Sequence, residues 1–162
     1  MSLISSPSRL VFTLVCRSVF VPPDKTTDFQ VARLEVKDKT TPIWVYCRQA
    51  THCSQGMVFG VNPGSQLAAF QAAAKGTPIS SSSPTVSSPS VPAATSSGTS
   101  SGTDHKITVG GPGVLTFSPP NITAQVGDTI TFEFHQKNHT VTSSSFDFPC
   151  QDSSSTGGFD SG

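Results

Sequence analysis

The chain has 162 residues and balances ten Lys+Arg against ten Asp+Glu. That length allows one domain or two small ones. Zero net charge without a basic run argues against a nucleic-acid partner. No apolar stretch reaches the roughly 18–20 residues of a membrane span.

The amino terminus carries an apolar run, Leu10 to Cys16, between Arg9 and Arg17. It only just reaches the length of a signal core, and no clear cleavage site follows. A signal peptide and a poorly specified leader over residues 1–17 both stay open. Phe29, Val31, Leu34 and Val36 then read as a strand with one slip in phase. Ile43 to Cys47, entered through Pro42, reads as a second strand and Met57 to Val61 as a third. Ser65 to Lys75 reads as one short helix. Leu67 and Phe70 mark its apolar face, Ala and Gln favour it, and Gly76 ends it.

Composition changes sharply after Gly76. From Ser80 to Thr103 the chain is mostly Ser and Thr with interspersed Pro, without charge or aromatics. Such a stretch cannot bury enough apolar surface to offset its ordering entropy, so residues 77–104 read as a disordered linker. In a secreted protein this composition suggests an O-glycosylated stalk, and a plain spacer fits equally. Beyond it the chain reads as β again. Ile107 and Val109 alternate with polar neighbours, as do Leu115 and Phe117. Pro119-Pro120 forbids a helix before Asn121. After the turn at Gly127-Asp128, Ile130, Phe132 and Phe134 share one face of a half-buried strand. The final dozen residues read as loop.

The chemistry-bearing stretch is Cys47-x4-His52-x4-Met57, between two strands. Thiolate, imidazole and thioether aimed at one point suit copper, in a trigonal Cys and two-His set with a weak axial Met. The loop supplies one His. The second is one of His105, His135 or His139; the first two also read as solvated surface and strand-end turn residues. Asn121-Ile-Thr and Asn138-His-Thr are glycosylation sequons, of which Asn121 is the better placed.

Several motifs together resemble a known family. They are Val126-Gly-Asp-Thr-Ile-Thr-Phe-Glu-Phe, Lys137-Asn-His-Thr-Val-Thr142, Ser145-Phe146, Pro149-Cys150, Pro42-Ile-Trp-Val-Tyr-Cys47, His52-Cys53-x3-Met57, Phe59 and Asn62-Pro63. Over roughly residues 18–76 and 105–162 the chain resembles cupredoxins of the phytocyanin type, most closely the fungal extracellular serine-rich proteins. The resemblance implies an all-β Greek-key sandwich, one copper bound by His139, Cys47, His52 and Met57, and a disulfide between Cys53 and Cys150. Of the four cysteines, Cys16 is then left over.

The order of the pieces departs from the family. Residues 18–76 resemble the second half of a cupredoxin and residues 105–162 the first half of another, as if cut from a tandem protein. The halves are complementary, and Gly162 would run on naturally into the Val19 region. Docked together they form a circularly permuted sandwich of about 115 residues, roughly 30–35 Å across. Residues 77–104 span about 30 Å as a flexible chain, enough to close it. Exchange of halves between two chains, giving a strand-exchanged dimer, is the competing arrangement. The function implied is a type 1 copper protein carrying single electrons outside the cell or at the cell wall, with an unidentified redox partner, and not an enzyme. The alternatives are a non-redox surface module on a glycosylated stalk and a truncated, non-functional product.

Overall fold

In a computed structural model the chain is described over residues 30–78, 102–135 and 138–162. The leader, the 18–29 stretch, Cys16 and most of the Ser/Thr/Pro run lie outside the described residues. The strands are β1 (Gln30–Glu35), β2 (Ile43–Tyr46), β3 (Val58–Val61), β4 (Asp104–Gly111), β5 (Val114–Ser118), β6 (Asn121–Ile122), β7 (Thr129–Phe134) and β8 (Thr142–Ser144). One helix, α1 (Leu67–Ala74), follows a 3-10 turn at Gly64–Gln66.

These strands form two four-stranded sheets, ordered β1-β7-β4-β5 and β6-β3-β2-β8. The chain crosses from one sheet to the other between β5 and β6, where Pro119-Pro120 cannot supply ladder N–H groups. Both sheets mix strands from either side of the Ser/Thr/Pro run. β1 lies antiparallel to β7, and the β2–β3 hairpin fits between β8 and β6. The all-β sandwich with one short helix is therefore built by both blocks within a single chain.

Side-chain alternation explains the core. In β1 the buried positions are Ala32 and Leu34, continued by Val36. This sets the phase that the sequence left with a slip: Val31 points to the other face. Ile107, Val109, Phe117, Ile130 and Phe132 face Val45, Phe59 and Val61 across the sandwich. Phe59 meets Phe132 edge-on at 5.4 Å between ring centroids.

The second sheet is buried on both faces, which is why β2 and β3 read as unbroken apolar runs. Helix α1 covers its outer face, and Phe70 lies on Trp44 at 4.5 Å. Phe70 is fully buried, so its truncation to Ala would cost about 3–5 kcal/mol.

Three local features differ from the sequence reading. The second strand ends at Tyr46 and the third begins at Val58, which leaves Cys47 and Met57 just outside them. β8 and a 3-10 turn at Ser154–Thr156 occupy stretches without a strand or helix signal. β4 begins at Asp104, inside the stretch read as linker, because Asp104 pairs with Thr129.

Candidate metal centre

Cys47 and Met57 extend the β2–β3 pairing by one step: the Cys47 N–H donates to the Met57 carbonyl at 3.1 Å. Between them residues 48–56 fold back on themselves. The His52 N–H donates to the Gln49 carbonyl at 3.0 Å, and the His52 carbonyl accepts from Met57 at 3.0 Å. Gly56, at φ +94°, makes the reversal that an L side chain would strain. His52 is thereby carried back over Cys47, with its Nδ1 3.4 Å from the sulfur.

The second imidazole comes from the other block. His139 lies between β7 and β8, and its Nδ1 is 3.7 Å from the Cys47 sulfur. Gly110, at the end of β4, makes room for it. A Cβ there would overlap the Nε2 edge of the imidazole, so the bare backbone forms a cradle that fits the ring. The His52 and His139 ring centroids are 5.0 Å apart.

Cys47, His52 and His139 thus offer one sulfur and two nitrogens, all within 4.8 Å of one another. Two donors bound at about 2.0–2.3 Å and about 120° apart lie about 3.6 Å from each other. The two sulfur–nitrogen distances fall at that spacing, as a metal ion bound between the sulfur and each imidazole requires. Met57 is fully buried in the same core cluster as Cys47.

Cys47 itself is fully buried and unpaired. Burial pushes its thiol up from the ordinary value, and the backbone N–H groups of Thr140 and Gln49 hold it back in part. The Thr140 N–H lies 3.4 Å from the sulfur. Beside His52, Cys53 forms a disulfide with Cys150 with 5.8 Å between Cα atoms. That bridge ties the His52 loop to the segment after β8.

The other sequence candidates lie elsewhere. His135, just past β7, sits with Nε2 3.8 Å from a Glu133 carboxylate oxygen. His105 was read as a solvated surface residue. It is instead only partly exposed, and its Nε2 lies 3.0 Å from Asp128. Asn121 is exposed on β6 and Asn138 is exposed beside His139.

Gly110, Thr140 and Arg48 were not marked as site residues. Thr140, Val141 and Thr142 are buried in succession, so alternation gives no signal for the two hydroxyls. Nothing in the sequence alone brings Gly110 to His139.

The fold is a cupredoxin-like sandwich, and among the described residues Cys47, His52 and His139 form a group able to hold a metal ion. The chain is 36% identical over 93 residues to a probable GPI-anchored cupredoxin-1 of Arthroderma benhamiae. That match covers 44% of this chain and 48% of the relative, so the chain spans about half the length of the curated protein it matches. No protein-family model matches the chain, and no solved structure matches it.

Proposed function

We propose that this protein carries single electrons on one copper ion, which Cys47, His52 and His139 would hold with Met57 as a further, weak donor. The observation that carries this is the Cys47 sulfur facing two imidazole Nδ1 atoms at 3.4 and 3.7 Å. A copper ion held there supplies a one-electron couple, and a Cys and two-His set with weak Met is the donor chemistry that suits it.

The chain's own residues do the rest. Cys47 gives up its thiol proton when metal binds, so affinity rises with pH. The Thr140 N–H stays on the sulfur and draws charge from it. His52 and His139 present Nδ1 from two structures anchored separately, one on the β2–β3 loop and one between β7 and β8. Donors held this firmly rearrange little between two oxidation states. No substrate is transformed in this reading, so the protein is not an enzyme.

The Ser80 to Thr103 composition and the GPI-anchored relative support a place at the cell surface or wall. The mixed strand order supports docking of the two halves into one circularly permuted sandwich. Sedimentation tests that arrangement, with a compact monomer expected and a concentration-dependent dimer indicating exchange of halves. Copper(II) titration tests the metal reading. Intense visible absorption at one equivalent, lost in Cys47→Ser, is expected. A non-redox surface module predicts a colourless protein at every ratio.

A further inference from the structure

Arg48, the residue after Cys47, begins and ends a closed circuit of hydrogen bonds. Its backbone N–H donates to the Thr140 hydroxyl at 2.7 Å. Thr140 and Thr142 share a hydrogen bond of 3.0 Å between their hydroxyls. The Thr142 hydroxyl donates to Asp160 Oδ1 at 2.8 Å. The other Asp160 oxygen takes the Arg48 guanidinium at 2.8 Å, which returns the circuit to its start.

The direction of this relay is fixed by chemistry. A backbone N–H only donates and an ionised carboxylate only accepts. Thr142 has one proton, which goes to Asp160. Thr140 must therefore be the donor to Thr142, and its oxygen is free to accept from Arg48. Thr142 is fully buried and Thr140 nearly so, so water does not compete for these bonds. The relay needs an acceptor-only group at its far end, and Asp160 is that group.

The backbone donor to the Cys47 sulfur, the N–H of Thr140, belongs to a member of this circuit, and Arg48, the residue after Cys47, closes it. We propose that Asp160 is a positioning residue for the Cys47 sulfur: through Thr142 and Thr140, and through the Arg48 guanidinium, it fixes the Thr140 N–H that the sulfur accepts. The geometry stands on the protein alone, and only its effect on a bound metal rests on the copper reading.

Amide hydrogen exchange in the metal-free protein is the primary test. Asp160→Asn puts an amide NH2 against the guanidinium or against Thr142, so one arm of the circuit breaks. Exchange at the Arg48 and Thr140 amides is expected to accelerate at least tenfold. Val45, Phe59 and Phe132 in the core should keep their rates. Thr142→Val, which keeps the shape and removes the relay, should accelerate Arg48 and Thr140 if the Asn variant folds poorly.

Asp152→Asn is the control. Asp152 also meets Arg48, at 3.3 Å, but lies outside the relay, and its replacement should leave the two amides within about twofold. Unchanged rates at the two amides in Asp160→Asn, or an equal acceleration throughout the core, overturn the proposal.

With copper bound, Asp160→Asn should also shift the thiolate absorption and lower the reduction potential, because a loosened N–H draws less charge from sulfur. A colourless wild-type protein with the expected exchange pattern would reject the copper reading and leave this assignment standing. A coloured protein whose potential and absorption ignore Asp160→Asn would do the reverse.

Discussion

The Cys47 sulfur and the Nδ1 of His139 face each other at 3.7 Å although 92 residues of chain separate them. The donor set is therefore complete only when β7 and β8 are docked beside β1 and β2. Metal binding at this set would therefore be coupled to assembly of the sandwich, and would depend on residues that are not donors themselves.

Gly110→Ala should disable the site without replacing a donor. The added methyl overlaps the His139 imidazole, and φ of +75° is strained for any L side chain. Metal affinity is expected to fall at least tenfold in a titration. Stability of the metal-free protein should fall by about 1–3 kcal/mol in urea. Unchanged affinity would mean that His139 is not held by this cradle.

Loss of the Cys53–Cys150 bridge should be costly. The two cysteines are 97 residues apart, and closing a loop that long is worth about 4–5 kcal/mol as an upper range in the chain-entropy model. Urea unfolding of the Cys53→Ser, Cys150→Ser double variant checks it. A midpoint matching wild type would show that the blocks dock without the bridge.

Acid should weaken the fold at the opposite end of β7. Burial alone would raise the Asp128 carboxyl, but the Gln125 N–H, His105 and the Thr103 N–H together hold it below its ordinary value. A carboxyl with a depressed folded pKa stabilises fully above its unfolded value, near 3.9, and loses that contribution as pH falls through the folded value. Unfolding free energy should therefore drop below about pH 4. Asp128→Asn should flatten that slope, and an identical slope in the variant would assign the acid sensitivity to other carboxyls.

Met57→Leu should keep the visible colour and raise the reduction potential, because a weak donor to copper(II) is lost. The swap conserves volume at a fully buried position, so folding should cost less than about 1.5 kcal/mol. Voltammetry of the copper-loaded variant checks it, and an unchanged potential would remove Met57 from the donor set.

What could be read from the sequence follows from where each signal resides. Ile130, Phe132 and the run Ile43 to Tyr46 announce strands because one buried face demands apolar residues at period two, or two buried faces demand a continuous run. The Cys47-x4-His52-x4-Met57 spacing is local, so its return loop was legible too. β8 was not, because Thr142, Ser143 and Ser144 are buried polar residues. The Thr142 and Ser143 hydroxyls are satisfied by Asp160 and by the Phe159 carbonyl. Alternation cannot announce such a strand. His139 was separable from His105 and His135 only through the resemblance to a family. All three follow or lie in β segments, and their fates are set by pairing across the chain. Gly110 and Asp160 depend on that pairing alone.

X-ray absorption at the copper edge, on the one-to-one complex, tests the assembled site most directly. One short sulfur and two imidazole nitrogens are predicted around the metal, with the sulfur lost in Cys47→Ser and one imidazole lost in His139→Ala. A shell of nitrogen and oxygen alone, or a shell unchanged by His139→Ala, would contradict a centre built from Cys47, His52 and His139.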